Sequence, residues 1–290
     1  MIIDIHTHIF PPAVRRERDA YFEGEVAFRR LYESPRSQMA GAHRLVAAMD
    51  EQGVDVSVVF GFPWKNPDTC RMHNDYVIEA VERFPDRLVG MVCLDAAMPG
   101  AEHEVERCLE AGLAGMGELA FYRSGINSEC LRQLEPLMAV CRRHRALTLI
   151  HTNEPVGHEY PGKTPNTLAQ LYRLVRTFPD NPMVLAHWGG GLLFYNLLKK
   201  EVKESLRNVW FDTAASPYLY DPAVYRLAVE IIGADRILFG SDYPLLPPTR
   251  YFNELKASGL APDVQAAIRG GSAARLLASL DILPAGPRSR

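Results

Sequence analysis

The sequence predicts a (β/α)8 barrel, in which eight parallel strands alternate with helices around a central sheet. Strand-like and helix-like segments alternate eight times along the 290 residues. The predicted strands are continuously apolar and rich in β-branched residues, as expected for parallel strands buried on both faces. Polar residues of metal-ligand type stand at the ends of several of these strands, where such barrels place their active sites.

A doubly wound open sheet is the competing fold, because strand–helix alternation fits both architectures. That fold expects a glycine-rich phosphate-binding turn after its first strand, whereas this chain continues as His-Ile-Phe-Pro-Pro over residues 8–12. The barrel is therefore favoured. We expect one domain over residues 1–290, with a long insertion after the first strand and an extra helix at the C-terminal end.

The elements can be placed in order from apolar spacing and from stop signals such as Gly53 and Pro85. The first strand ends at His8, and the polar stretch from Phe10 to about Ala40 is expected to form a partly helical cover. The remaining strands are predicted at 54–60, 88–94, 114–119, 147–150, 183–186, 209–212 and 237–239. Helices are predicted at 42–52, 68–84, 101–111, 128–145, 165–178, 192–206, 222–232, 250–258 and 263–280, before a tail from Leu283.

Composition argues against several classes of partner. The net charge is −3 and no Lys/Arg run occurs, which disfavours nucleic acid. No apolar run approaches the length of a membrane span, and the N-terminus lacks the pattern of a signal peptide. The five cysteines are scattered without a C-x-x-C pair, which indicates a reducing compartment. We expect a soluble, cytoplasmic protein that acts on a small molecule, with homo-oligomers left open.

The ends of five predicted strands carry residues that commonly bind metals. Two histidines close the first strand, His6 and His8, and alternation would place them on one face together with a deeper, buried Asp4 whose partner the sequence does not name. Four further residues follow later strands: Glu118, His151, His187 and Asp242. Because the C-terminal ends of barrel strands meet at one face, we expect these side chains to converge.

Each of these residues also has a role that needs no metal. Asp242 could cap a helix, His187 could precede a glycine turn as a cap, and Glu118 could be a surface carboxylate. If none of these residues bound a metal, their positions would require six independent coincidences at one end of one barrel. We therefore favour a metal site. Three imidazoles and one carboxylate suit zinc, or a similar ion such as manganese, iron or cobalt. Asp242 would then accept a proton from a metal-activated water, and His187 would polarise or protonate the substrate.

The chain resembles the amidohydrolase superfamily through four motifs: His6-x-His8, His151, His187 and the stretch Gly-Ser-Asp-Tyr-Pro at 240–244. More narrowly, it is similar to the amidohydrolase-related branch that includes 2-amino-3-carboxymuconate-6-semialdehyde decarboxylase. The resemblance covers nearly the whole chain. It implies that one divalent metal, usually zinc, is bound by His6, His8, His151 and Asp242, with His187 as an unliganded acid–base or orienting residue.

Glu118 departs from the pattern of the decarboxylases, which tend to have a lysine or a neutral residue near the end of strand four. Its Gly-Glu-Leu context looks more like the metal-dependent deoxyribonuclease branch, in which a glutamate bridges two metals. If Glu118 bridges, His187 becomes a ligand of a second metal about 3.5–4 Å from the first. We favour one metal, with Glu118 as an optional ligand, and keep two as the alternative.

Four residues of the strand-to-helix loops are predicted to bind the substrate: Trp64, Arg123, His158 and Trp188. The two tryptophans would supply aromatic walls. Arg123 could bind a carboxylate through two hydrogen bonds, or could form an ordinary surface ion pair. His158 lies in the excursion 153–163, which is long enough to act as a lid.

Three functions remain in competition. The favoured one is hydrolysis of an amide, lactone or ester by a metal-activated water. The alternative is nonoxidative decarboxylation of a small aromatic or muconate-type acid, supported by the branch resemblance and by Arg123. A catalytically silent barrel that only binds a metal or ligand is disfavoured by the convergence of six polar groups.

Overall fold

Eight parallel strands form one sheet in sequential order in the computed structural model of the protein, which describes residues 1–284. The strands are β1 (Ile3–His8), β2 (Val56–Phe60), β3 (Leu88–Val92), β4 (Gly115–Leu119), β5 (Leu147–Ile150), β6 (Met183–Leu185), β7 (Val209–Asp212) and β8 (Ile237–Leu238). The sheet closes where β1 meets the chain after β8, since the His8 N–H donates to the Tyr243 carbonyl oxygen at 2.8 Å. The predicted (β/α)8 barrel is confirmed.

Helices surround the sheet and connect its strands. They are α1 (Pro12–Arg16), α2 (Val26–Tyr32), α3 (Ala42–Gln52), α4 (Pro67–Arg83), α5 (Ala101–Glu110), α6 (Ser128–Arg143), α7 (Leu168–Thr177), α8 (Ala186–Gly189), α9 (Lys200–Ser205), α10 (Ser216–Leu219), α11 (Ala223–Ile232), α12 (Pro248–Ala257), α13 (Pro262–Ala266) and α14 (Ser272–Ser279). Short 3-10 segments lie at Arg18–Tyr21, Leu192–Leu197 and Ala234–Arg236. No helix within residues 1–284 is both long enough and apolar enough to cross a membrane.

The insertion between β1 and α3 is partly helical and covers the barrel mouth, as predicted. The ring centroid of Phe28, in α2, lies 4.3 Å from that of Trp64 and 5.2 Å from that of Phe62, both after β2. Arg30 also donates to the carbonyl oxygen of Tyr160 at 3.1 Å. The insertion is therefore attached to the loops after β2 and after β5.

Three predicted helices differ from the observed ones. α7 begins at Leu168 because Thr167 and Gln170 form a capping box, in which each side chain accepts the backbone N–H of the other residue. The helix predicted at 192–206 is a 3-10 segment followed by α9, separated by an extended Leu198. The helix predicted at 263–280 is divided by a π-helical stretch at Gly270, where an added Cβ would lie 2.4 Å from the Met1 carbonyl oxygen. The last six residues of the predicted tail lie outside the described residues.

β1 carries one extra residue relative to β2. Ile3 pairs with Val56 and His8 pairs with Phe60, so the register shifts between these two pairs. Both β2 partners belong to the core inside the barrel, so Ile3 and His8 face inward and Asp4, next to Ile3, faces outward. The predicted common face of Asp4 and the two histidines is therefore wrong at Asp4.

Asp4 finds its partner at the end of β8. Its carboxylate accepts hydrogen bonds from the Ser241 hydroxyl at 2.5 Å and from the Ser241 N–H at 3.0 Å. Burial raises the pKa of Asp4 to about 7, although these hydrogen bonds act in the opposite direction. The contact joins the first and last strands next to Asp242.

Candidate metal centre

Six side chains from five strand ends converge at the C-terminal face of the barrel. Three overlapping groups, each with its ligand atoms within 4.8 Å of one another, contain them all: His6–His8–Glu118, His6–His187–Asp242 and Glu118–His151–His187. The structure thus brings together every residue that the sequence assigns to metal binding or catalysis. We refer to these six residues as the metal-site cluster.

Glu118 lies at the centre of the metal-site cluster. Its Oε1 atom is 2.9 Å from His151 Nδ1 and 3.3 Å from His187 Nε2. The same atom is 3.6 Å from His6 Nε2, and Oε2 is 3.6 Å from His8 Nε2. Glu118 is therefore no peripheral surface carboxylate, and its position is suited to a ligand or a bridge.

Asp242 reaches the same point from the end of β8. Its Oδ1 atom is 3.4 Å from His8 Nε2 and 3.7 Å from His6 Nε2. The residue is held in the left-handed region, with φ of 58°, and its N–H donates to the His6 carbonyl oxygen at 3.0 Å. The backbone contact between β1 and the end of β8 thus fixes the carboxylate against both histidines.

Three histidines are oriented by a hydrogen bond at Nδ1. The pairs are His6 with Asp212 Oδ2 at 2.9 Å, His8 with the Gly61 carbonyl oxygen at 3.0 Å, and His187 with the Ala214 carbonyl oxygen at 2.8 Å. A carbonyl oxygen only accepts, so the partners of His8 and His187 place the hydrogen on Nδ1. In the neutral rings of His8 and His187, Nε2 then offers a lone pair to the cluster, which is how metal-binding histidines are commonly oriented.

Two ring nitrogens of the cluster have no hydrogen-bond partner in the described part of the chain. Within residues 1–284, the Nε2 atoms of His6 and His151 are buried without a hydrogen bond. Leaving such atoms unpaired is costly, and a divalent cation is one group that would satisfy the His6 nitrogen. The imidazole and carboxylate donors around it are also those that zinc and manganese accept. The residues present therefore fit a divalent metal.

Asp212, the last residue of β7, was not identified from the sequence. Its Oδ2 atom accepts from His6 Nδ1, and its Oδ1 atom accepts the N–H groups of His187 at 2.9 Å and Ala214 at 3.0 Å. One buried carboxylate thus positions two histidines from different strands. The signal was available, because Asp212 ends a predicted strand as the other site residues do.

Opposite charges outweigh burial in this cluster. Burial lowers the pKa of His6, but the charges of Glu118 and Asp212 raise it well above the ordinary value. Burial raises the pKa of Glu118, but the nearby imidazoles hold it well below its usual range. Asp242 behaves in the same way, and contact with His8 together with the imidazole charges lowers its pKa to about 2. Ionised carboxylates therefore face imidazoles whose protons a cation could replace.

The residues predicted to bind the substrate lie outside the metal-site cluster: Trp64, Arg123, His158 and Trp188. Both tryptophans are fully buried. The Trp64 indole donates to His73 Nδ1 at 2.8 Å, and the Trp188 indole donates to the Ser216 hydroxyl at 2.7 Å. Each ring is thus held in place by a hydrogen bond inside the protein. Arg123 and His158 are exposed on loops.

Comparison with known proteins places the chain in a family. The amidohydrolase family model matches residues 3–278. The 6-methylsalicylic acid decarboxylase of Penicillium expansum is 23% identical over 319 aligned positions, covering 96% of each chain. The 2-amino-3-carboxymuconate-6-semialdehyde decarboxylase of Dictyostelium discoideum is 22% identical, covering 83% of this chain and 81% of that one.

A solved structure has the same fold. The 5-carboxyvanillate decarboxylase of Novosphingobium aromaticivorans, in complex with manganese and 4-hydroxy-3-methoxy-5-nitrobenzoic acid, superposes with a TM-score of 0.73. Its sequence is 15% identical, and the superposition covers 96% of each chain. At this identity the likeness shows the shared fold alone. The family match over nearly the whole sequence is what shows that the chain belongs to the amidohydrolase family and is an enzyme of that type.

Proposed function

We propose that the chain is a divalent-metal-dependent decarboxylase of a small aromatic or muconate-type acid. The sequence alone favours hydrolysis and leaves decarboxylation as the alternative. The observation that carries the proposal is that both relatives, aligned over most of the chain, are decarboxylases by name. Hydrolysis is supported only by membership of the amidohydrolase family as a whole.

One divalent cation is the proposed cofactor. His6, His8 and Asp242 would hold it, with His151 and Glu118 completing the set of donors. When bound, such a cation supplies a Lewis acid that takes up negative charge from substrate oxygens. Zinc was expected from the sequence, and the manganese in the structural neighbour makes manganese an equal candidate.

His187 is placed to move a proton. Its Nδ1 is held by the Ala214 carbonyl oxygen, which leaves Nε2 facing Glu118 at 3.3 Å. Burial lowers the pKa of His187, but the hydrogen bond and charge of Glu118 outweigh burial and raise it. A protonated His187 can deliver its proton to the carbon that bears the substrate carboxylate. The bond to the carboxylate then breaks, its electron pair stays on that carbon, and carbon dioxide leaves.

Product analysis tests the reaction class. The purified enzyme, reconstituted with manganese or zinc, would be incubated in ¹⁸O-water with 6-methylsalicylate, 5-carboxyvanillate and simple lactones. Decarboxylation predicts one carbon dioxide per substrate consumed and no ¹⁸O in the organic product. A product carrying ¹⁸O without carbon dioxide release would reject decarboxylation in favour of hydrolysis. Metal-depleted enzyme is the control.

Metal analysis of Glu118→Ala and His187→Ala tests the number of metals. One equivalent per chain in the wild type, retained in both variants, supports the single-metal site. Two equivalents that fall to one in either variant would establish a bridged pair.

A cytoplasmic location is also part of the proposal, because the five cysteines form no disulfide among the described residues.

A further inference from the structure

One tyrosine hydroxyl joins the two loops that support His187 and Asp242 of the metal-site cluster. Tyr251 lies in α12 and is almost completely buried. Its hydroxyl accepts the N–H of Ala215, after β7, at 3.0 Å and donates to the carbonyl oxygen of Ser241, after β8, at 2.6 Å. Tyr251 is not a member of the cluster and reaches it through these two backbone contacts.

The first contact supports His187. The N–H of Ala215 belongs to the same peptide group as the carbonyl oxygen of Ala214, which accepts the Nδ1–H of His187 at 2.8 Å. This peptide group is therefore held at both ends, by the imidazole and by the tyrosine hydroxyl. Ala215 is in the left-handed region, with φ of 55°, which is unfavourable for a residue with a Cβ. The turn that positions His187 thus depends on contacts that hold it.

The second contact supports Asp242 in the same way. The carbonyl oxygen of Ser241, which accepts from Tyr251, and the N–H of Asp242 form one peptide group. That N–H donates to the His6 carbonyl oxygen at 3.0 Å, so this peptide group too is held at both ends. Asp242 is also left-handed, with φ of 58°. One hydroxyl thus binds the two peptide groups that orient a carboxylate and an imidazole from different strands.

The hydrogen bonds around this hydroxyl share one direction. Four successive bonds, linked by a peptide group or by the hydroxyl, run from His187 to Ala214, from Ala215 to Tyr251, from Tyr251 to Ser241, and from Asp242 to His6. Aligned hydrogen bonds polarise and strengthen one another. Among the links of this chain, only Tyr251 is a side chain outside the metal-site cluster. Its hydroxyl can therefore be removed without altering a cluster residue.

We propose that Tyr251 is a positioning residue, whose hydroxyl orients the Asp242 carboxylate towards the metal and holds the His187 imidazole with its hydrogen on Nδ1. The part that concerns Asp242 rests on the proposed metal, and neither part depends on the reaction class. Tyr251→Phe removes the hydroxyl and keeps the ring, whose centroid lies 5.7 Å from that of Phe239. The variant should therefore fold but release both peptide groups.

Zinc affinity, measured by competition with a fluorescent chelator, tests the part that concerns Asp242. Tyr251→Phe should weaken zinc binding about fivefold, because it acts one bond further away than the direct partner of a ligand. Asp242→Gly provides a second background, since glycine adopts the left-handed conformation readily and has no carboxylate. If Tyr251 acts through Asp242, adding Tyr251→Phe to Asp242→Gly should change the affinity by less than about 1.5-fold.

Tyr76→Phe is the matched control, because the Tyr76 hydroxyl also accepts a backbone N–H, that of Ala42 at 2.8 Å, but between α3 and α4. This variant should leave zinc affinity unchanged, and thermal unfolding would show that each variant folds. An equal loss of affinity from Tyr251→Phe in both backgrounds would indicate a merely structural role and overturn the inference. So would an unchanged affinity in the wild-type background.

The His187 imidazole is followed separately, in metal-free protein labelled with ¹⁵N-histidine. Its Nδ1–H signal, assigned from its absence in His187→Gln, reports the strength of the bond to Ala214. Tyr251→Phe should move this proton signal upfield because the chain of aligned bonds is cut, whereas Tyr76→Phe should leave it in place. An unmoved signal in Tyr251→Phe would overturn the inference. A wild type that binds no zinc would remove the proposed cofactor, and this signal would still decide whether Tyr251 positions His187.

Discussion

The protein buries histidines in two environments that differ in what the ring nitrogens contact. In the metal-site cluster, His6 Nδ1 is paired with Asp212, whereas Nε2 faces carboxylates and has no hydrogen-bond partner among residues 1–284. In α4, His73 uses both: Nδ1 accepts from the Trp64 indole at 2.8 Å, and Nε2 donates to the Ile9 carbonyl oxygen at 2.6 Å. Both rings are buried, so burial does not separate a ligand from a structural histidine. The two histidines differ instead in the ring nitrogen of His6 that has no hydrogen bond among the described residues.

The pKa values of the two histidines move in opposite directions. Burial lowers the pKa of His73 to about 4, although its hydrogen bond to Ile9 acts against this. His6 is equally buried, yet Glu118 and Asp212 raise its pKa well above the ordinary value. His73 is therefore a neutral connection between the loop after β2 and the end of β1, whereas His6 belongs to a charged cluster.

The largest expected effect comes from removing the charge of a cluster carboxylate. Asp242→Asn should lower kcat/KM about 10³-fold, because the residue contacts both histidines of β1 and serves the proposed chemistry. Steady-state kinetics on the substrate identified by carbon dioxide release would measure it. Asp281→Asn, at an exposed position, is the control. Turnover within tenfold of wild type for Asp242→Asn would contradict the assigned role.

The comparison is tested most directly by truncating one histidine from each environment. His8→Ala should lose bound metal with little change in stability. His73→Ala should keep the metal but lower the free energy of unfolding by about 2–3 kcal/mol, since the Trp64 and Ile9 partners are left unpaired. Metal analysis and urea unfolding of both variants would measure this. Loss of metal from His73→Ala, or its retention in His8→Ala, would remove the distinction.

Asp212 should have a smaller effect than a direct ligand. Asp212→Asn keeps an oxygen for His6 but removes its charge, so metal affinity should fall about 10- to 100-fold. A competition titration against a fluorescent chelator would measure the change. Exposed Asp221→Asn is the matched control. An unchanged affinity would show that Asp212 only supports the backbone at His187 and Ala214.

The smallest effect is a pH dependence that His73 contributes to stability. Its pKa is about 4 in the folded protein and 6.5 as the ordinary value, so the unfolded chain binds the proton more readily. The contribution is complete above the ordinary pKa and is lost as the pH falls towards 4. Wild type should lose about 2 kcal/mol more than His73→Gln between about pH 7 and pH 5. Urea unfolding of both proteins at both pH values would measure this. An equal difference in the free energy of unfolding between wild type and His73→Gln at the two pH values would refute the prediction.

The strands and the site residues could be predicted from sequence for the same physical reason. Strands buried on both faces must be continuously apolar, which marks each one, and the barrel brings their C-terminal ends to one face. Residues following separate strands, such as His151 and Asp242, could therefore be placed together before the fold was known. Glu118 could be singled out as a candidate ligand from the sequence, but its central position in the metal-site cluster could not.

What the sequence could not show depends on contacts between distant atoms. The extra residue in β1, which turns Asp4 away from the histidines, follows from pairing with β2 and leaves no mark in the local pattern. The hydrogen bond of Trp64 to His73 likewise joins two elements, and it explains why a ring predicted to face the substrate is fully buried. Asp212 ends a predicted strand, as the other site residues do, but the contacts of its carboxylate with His6 and His187 join separate strands and cannot be seen in the sequence.

The most direct test of the account is decarboxylation in D₂O with and without metal. Manganese-loaded enzyme acting on 6-methylsalicylate or another hydroxylated ring acid should release one carbon dioxide and leave one deuterium on the carbon that lost it. Chelation should abolish the reaction and added manganese should restore it. Turnover that persists in metal-free protein, or a product with water added and the carboxylate retained, would contradict the account.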